Sequence, residues 1–370
     1  MARSHDMTSG SIWRSLLGFS IPIMISNLVQ STYNAVDMLF VGRFTGTESL
    51  AAVSVCGPIM NVMIITLSGM SAGVLVVISG LLGAGDIKQA QDAAHTSVAL
   101  YALMAAVMTV LGLLFVPQIL RLVQTPAAAM PEAKRYLYTV FAGTVFTFGY
   151  NLIGALQRGL GNAAASMSFV IISSAANIAL DAVFIVWLGM GAFGAALGTV
   201  LSQVAAFVIG TVQFARGGAA LRLSARAVRF HKKHLKNILL FGVPTALNEV
   251  MVNLAMLTVS GVANSFGLAS SAAYGVGSRI NSLAIFTDGA MNQTMSAYAS
   301  QNIGAGRQKR ALEGLWKAII LSAGAALGTS LLVLGFASEF SACFDSDPAV
   351  IEQSAAFLRV TVWSYPLFAT

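Results

Sequence analysis

The sequence predicts an all-α polytopic membrane protein made of two six-helix bundles in parallel repeat, the second of them truncated. Three observations carry this. Of the 370 residues, 56% are hydrophobic and only 9% are charged, with mean hydropathy +0.77; a soluble domain carries about 25% charged residues. The apolar runs are long and do not alternate, which argues for spanning helices and against a transmembrane barrel. The chain also repeats itself. Ser79-Gly80-Leu81-Leu82-Gly83-Ala84-Gly85 is answered by Ser300-Gln301-Asn302-Ile303-Gly304-Ala305-Gly306, Pro22 by Pro244, and Gln124-Thr125-Pro126 by Ser346-Asp347-Pro348, each at an offset of 221 or 222 residues. Six spans fit within that offset, so both copies cross the membrane in the same sense, a known plan for transporters with a site between two halves.

Apolar segments of 18 or more residues read as spanning helices, and ten are expected. Residues 1–14 are a cytoplasmic N-terminal segment. Span one, 15–41, contains Pro22 and stops before Arg43. Span two, 50–80, runs into Gly83-Ala84-Gly85-Asp86. Span three covers 92–117 and span four 134–158. Spans five, 163–188, and six, 191–215, are joined by Gly189-Met190-Gly191-Ala192-Phe193-Gly194. This spells GxGxxG, but it follows no strand and no acidic residue occurs between it and Glu249, so it reads as a tight helix–helix turn and not a dinucleotide fingerprint. Residues 216–235 are basic and read as a cytoplasmic linker between an N-lobe, 15–215, and a C-lobe, 236–370. The C-lobe holds span seven, 236–262, with Pro244, then spans eight, 270–300, nine, 314–337, and ten, 352–370. Matching the first copy would require two further spans and the end of a third, so the chain is expected to be C-terminally incomplete.

The net charge of +7 has its explanation in the positive-inside rule. With the N-terminus cytoplasmic, fifteen of the 21 Lys and Arg fall inside, and Arg43, Arg121, Lys134 and Arg135 fall outside. The expected partners are therefore the bilayer of the cytoplasmic membrane and a small molecule, with no nucleic acid. Cys56 and Cys343 stand far apart and read as ordinary small residues. His231-Lys232-Lys233-His234 reads as a cytoplasmic surface and a poor metal site. The GxxxG pairs Gly69/Gly73, Gly194/Gly198 and Gly324/Gly328 are weak signals for close helix packing, not for dimerisation, and a monomer is expected. No cofactor and no structural metal are expected.

Two aspartates stand out. Asp37 lies in the apolar run of span one and Asp181 in that of span five. A carboxylate in a spanning helix costs roughly 2.5–3.5 kcal/mol on the lenient insertion scale, and such residues usually mark an ion or proton pathway. At about 1.5 Å per residue, Asp37, Asp181 and Thr199 of span six all fall in the outer half of the first bundle. Asn177 is four residues before Asp181, and Tyr33 and Asn34 are four and three before Asp37, so each shares a helix face with its aspartate. Such a carboxylate pair can bind a proton, or coordinate Na⁺ with Asn and Thr oxygens, which makes Asp37, Asn177, Asp181 and Thr199 a candidate Na⁺ site. Asp288 and Glu249 fall near the midplane of the second bundle and are candidates to attract a cationic substrate, with Gln203 and Asn27 as further cavity candidates. The repeat equivalent of Asp37 is Val259, and that of Glu249 is Asn27, so the lobes share a fold but not their charges.

Taken together these segments resemble the multidrug and toxic compound extrusion (MATE) family. The resemblance rests on Pro22 with Asp37, Gly83-Ala84-Gly85-Asp86, Gln157-Arg158-Gly159-Leu160-Gly161-Asn162, Asn177-Ile178-Ala179-Leu180-Asp181, Gly194-Ala195-Ala196-Leu197-Gly198-Thr199 and Gln301-Asn302-Ile303-Gly304-Ala305-Gly306-Arg307, in that order over nearly the whole chain. It implies two bundles around a central cavity and a secondary antiporter, not an enzyme, that exports cationic or amphipathic drugs in exchange for H⁺ or Na⁺. It implies a cation site at Asp37, Asn177, Asp181 and Thr199, with Tyr33 close by. Independently of the resemblance, Pro22 is a candidate hinge, because the helix loses a hydrogen bond there. The alternative within the same broad superfamily is a flippase for lipid-linked saccharides. That reading calls for several basic cavity residues, whereas the membrane ionisables here are mostly acidic. A membrane-embedded enzyme would need a His, Asp or Glu cluster at one depth, and His95 stands alone at the start of span three.

Overall fold

A computed structural model describes residues 6–216, 221–284, 286–344 and 347–365. Among these are the helices α1 (Ile12–Phe44), α2 (Thr47–Gly83), α3 (Ile87–Leu122), α4 (Met130–Gly159), α5 (Ala163–Asp181), α6 (Gly191–Arg216), α7 (Lys232–Ser265), α8 (Leu268–Ala284), α9 (Phe286–Gly304), α10 (Gln308–Ala342) and α11 (Pro348–Thr361). Eight described helical segments are long and apolar enough to cross a membrane. The expected span eight corresponds to α8 and α9, which flank residue 285; that residue, Ser346 and the last five residues of the expected span ten lie outside the described residues.

The helices end where local chemistry stops them. Asp86 and Asn162 cap α3 and α5, accepting the backbone N–H of Gln89 and of Ala165, each at 3.0 Å. The repeat is visible at the level of single bonds. After α2, Gly85 takes φ +72° and its N–H reaches Leu82 O, while Asp86 N–H reaches Leu81 O. After α9, Gly306 also takes φ +72°, with Gly306 N–H on Ile303 O and Arg307 N–H on Asn302 O. Both are glycine C-caps that require the left-handed region. The Gly189–Gly194 turn works similarly, with φ of +62° at Gly189 and +57° at Gly191.

The same repeat builds the seam between the lobes. A Cβ on Gly83 would run into the carbonyl of Gln301, and a Cβ on Gly304 into the carbonyl of Gly80. Gly83 and Gly304 are repeat partners, as are Gly80 and Gln301, so this is one contact seen twice across a pseudo-two-fold axis. Farther along α2, a Cβ on Gly69 would fall 2.7 Å from Gly242 O, and one on Gly73 would strike Ile238 O, so α2 and α7 approach backbone to backbone. Of the three GxxxG pairs, Gly69/Gly73 face such contacts, while Gly194 abuts the Phe184 carbonyl and Gly198 the Asp181 carboxyl. Among the described residues, a Cβ on Gly324 or Gly328 would meet nothing within 4 Å, so the close packing expected there is not seen among them.

The N-terminal segment closes the same end of the bundle. Met7 is buried, and its N–H donates to Gln301 Oε1 at 2.9 Å. Arg310 donates to the carbonyls of Met7, Ser9 and Gly10, Asn302 to Met7 O at 3.2 Å, and Arg307 to Thr8 O. The described part of the basic linker folds against α3: Arg222 N–H donates to Gln91 Oε1 at 2.7 Å and His231 N–H to Thr96 Oγ1 at 3.2 Å. Cys56 and Cys343 are free.

Candidate functional site

α1 presents a polar face. Asn27, Gln30, Tyr33, Asn34 and Asp37 recur every three or four residues and all line one cavity of about 950 Å³ between the lobes. Further polar wall residues come from α4 (Tyr136, Thr147, Tyr150, Asn151), α6 (Thr199, Gln203), α7 (Asn248, Glu249) and α9 (Asp288, Asn292), and α2, α5 and α10 complete the lining. All the expected cavity residues, Glu249, Asp288, Gln203 and Asn27, therefore face a common space, as do Tyr33, Asn34, Asp37 and Thr199. Pro22 sits inside α1, which stays helical through it; Ser26 Oγ donates to the Pro22 carbonyl at 2.8 Å.

Asp181 and Asn177 lie behind this wall. Asp181 has no exposure and Asn177 has 1%. Asn177 lines a small side chamber with Gln30, Tyr33, Ser173, Ser174 and Gln203, and Gln203 accepts a hydrogen bond from the Thr147 hydroxyl. α5 ends at Asp181 and continues as a π-helical turn, Ala182–Trp187; single π turns gather at functional sites. The Asp181 carboxyl lies flat on Gly198 of α6, where a Cβ would collide with Oδ1. Thr199, the next residue, faces the cavity.

The carboxyls of Asp37 and Asp181 lie close enough to share a hydrogen bond if one is protonated. Tyr33 and Tyr136 lie within electrostatic reach of both. Asp37 Oδ1, both Asp181 oxygens and both polar atoms of Asn177 are buried without a hydrogen-bond partner among the described residues. Buried polar groups are almost always satisfied, so five such atoms in one cluster mark a place built to receive something. Its chemistry, two carboxylates and an amide, fits a proton or a hard monovalent cation. No group of three or more His, Cys, Asp or Glu with metal-holding geometry occurs among the described residues.

Sequence reasoning missed Tyr136, Gln30 and the α4 wall. Gln30 was within reach, since it continues the Asn27, Asn34, Asp37 spacing. Tyr136 follows Lys134-Arg135 at the start of a span, where a tyrosine reads as an interfacial anchor.

Comparison with known proteins finds relatives along nearly the whole chain. The MatE family model matches residues 22–183 and 244–370. A probable multidrug resistance protein of Bacillus subtilis, YoeA, is 30% identical over 97% of this chain and 79% of its own length. A second from that organism, YpnP, is 27% identical over 98% of this chain and 81% of its own. A solved outward-facing conformation of a multidrug resistance MATE family transporter of the MOP superfamily superposes with TM-score 0.93 at 25% identity, covering 100% of this chain and 82% of that one.

Proposed function

We infer the function from one premise: the chain belongs to the MatE family. It is a multi-pass membrane transporter of the multidrug efflux type, and its relatives are described as probable multidrug resistance proteins. Within that class it exports cationic or amphipathic compounds by antiport against H⁺ or Na⁺. The observation that carries the reading is the unsatisfied cluster of Asp37, Asn177 and Asp181 directly behind the wall of a drug-sized cavity.

The N-terminus is cytoplasmic, a reading supported by the distribution of Lys and Arg, and the protein acts as a monomer in the cytoplasmic membrane. The seam at Gly83 and Gly304 then closes the cytoplasmic end, which is the outward-facing arrangement. In this state a cation from outside reaches Asp37 along the cavity wall and is shared with Asp181. Neutralising the pair removes its demand for partners, so α1 repacks against α5 and α6 with Pro22 as the hinge. Glu249 and Asp288 hold a cationic substrate from the opposite wall until that repacking changes the cavity. One inward-moving charge contributes about 2.3 kcal/mol per 100 mV, a roughly 50-fold concentration bias.

The test is efflux of a fluorescent organic cation from vesicles containing the full chain, with proton and sodium gradients imposed separately. One gradient is expected to drive efflux, and Asp37→Asn and Asp181→Asn are each expected to abolish that dependence. Full gradient-driven efflux by both variants would remove the cation site from the mechanism.

A further inference from the structure

The cavity has one wall residue of the opposite sign. Arg158, near the end of α4, lines it beside Gly154, Ala163 and Ser166. Its Nη1 donates to Ser166 Oγ at 2.9 Å, and its Nε is buried with no partner. The ion pairs among the described residues are Glu132–Arg135 and Asp92–His231, and neither involves Arg158. Its electrostatic neighbours are the phenols of Tyr101 and Tyr150, and the Tyr101 hydroxyl is already engaged with Ser71 Oγ at 2.9 Å.

A guanidinium stays charged in proteins, so this partly exposed side chain keeps a positive charge on the cavity wall. A hydroxyl accepts one hydrogen bond from it but does not neutralise it. With no anionic partner among the described residues, the group lines a cavity large enough for a drug-sized ligand. The beginning of α5 adds to the same field. Ala163 and Ser166 of its first turn line the cavity, and Asn162 caps only the N–H of Ala165. A helix of this length presents a partial positive charge there and favours an anion.

We propose that Arg158, the Ser166 hydroxyl and the first turn of α5 form an anion subsite in the cavity, which takes a carboxylate of the transported molecule. Among the described residues, the other charged wall side chains are acidic: Asp37, Glu249 and Asp288. A cavity with three carboxylates and one unpaired guanidinium fits a zwitterion better than a simple cation. The carboxylate of the zwitterion binds at Arg158 and its cationic end at the acidic wall. When the transported molecule carries no carboxylate, a free halide satisfies the same groups. The inference rests on the efflux reading above and assigns part of that site's specificity.

The test uses a matched pair of probes, a rhodamine bearing a free carboxylic acid and its methyl ester, transported by the full chain in vesicles. Transport of the ester by the unaltered protein tests the efflux reading alone. The acid-to-ester ratio tests the subsite. Arg158→Gln is expected to raise the KM for the acid at least tenfold and that for the ester by much less. Arg158→Lys is expected to recover part of the loss, and Ser166→Ala to show a smaller loss of the same kind. Replacing chloride with gluconate distinguishes the sources. Slowed ester transport with unchanged acid transport in the unaltered protein means that a free anion fills the site when the substrate brings none. A parallel titration of the acid against purified Arg158→Gln protein, followed by probe fluorescence, reads binding without turnover. Equal losses for acid and ester, or no loss for either, would overturn the proposal and leave Arg158 a bolt between α4 and α5.

Discussion

Asp181 illustrates how a site residue differs from a packing residue. Its two oxygens are buried and unpartnered, and an unsatisfied buried polar group costs about 1–3 kcal/mol. A residue kept for packing would be satisfied. Asp181→Asn, which removes a charge at nearly constant volume, is therefore expected to lower gradient-driven efflux at least tenfold. Its thermal stability in detergent is expected to be unchanged or raised, by about 1 kcal/mol. A parallel fall in stability and efflux would make the aspartate structural. Gly198→Ala tests the same carboxyl from α6, because the added methyl would displace Oδ1; efflux is expected to fall while α6 stays folded. Asp37, Asn177, Asp181 and Thr199 were legible in the sequence because a polar group in an apolar run is conspicuous. Arg158 was visible too, but at the end of a span an arginine reads as part of the positive-inside bias. Only the three-dimensional position of α5 reveals that it faces a cavity and has no anionic partner.

At the scale of elements, the apolar runs located each helix but not its ends. α2 begins at Thr47 and α10 at Gln308, three and six residues before the apolar window opens. Polar first turns carry no hydropathy signal, and caps set them instead. α3 offers a test. The Asp86 carboxyl is held below its usual range, chiefly by the Gln89 backbone N–H and next by the Gln89 side chain. A lowered folded-state value means that the cap contributes fully above the unfolded pKa of about 3.9 and is lost as pH falls through the lower folded value. Asp86→Ala should therefore melt below the unaltered protein at pH 7, and the difference should close only below about pH 4. Asp86→Asn keeps an acceptor without the charge and should melt with a flatter acid limb. Melting curves of the three proteins from pH 3 to 7 decide this; a difference that persists at the acid end would mean that the charge is not what matters. Gly69/Gly73 and Gly324/Gly328 share one sequence pattern. Among the described residues the first pair meets another backbone and the second does not, because helix pairing depends on which faces the rest of the fold turns inward.

For the whole molecule, the repeat foretold the pseudo-symmetry but not how one end would be sealed. The Gly83–Gln301 and Gly304–Gly80 contacts lie at the end that also holds Met7, and Arg310 ties that segment to the second lobe through three carbonyls. The sequence had no means of signalling this strap, since its acceptors are backbone carbonyls common to every residue. Two lobes that must part at this end during transport have to break these contacts together. A hydrogen bond to a charged group contributes about 1.5–3 kcal/mol. Losing a net 2 kcal/mol changes the ratio of closed to open forms about 30-fold. Arg310→Ala is therefore expected to raise the population open at the Met7 end. Gly83→Val should do so more strongly, since its side chain cannot coexist with the Gln301 carbonyl. Spin labels placed on exposed Lys88 and Lys309 after replacement by cysteine report this as a longer distance in both variants. If the distance distribution stays that of the unaltered protein, neither the strap nor the glycine seam controls opening, and the barrier between the two forms must lie along α2 and α7.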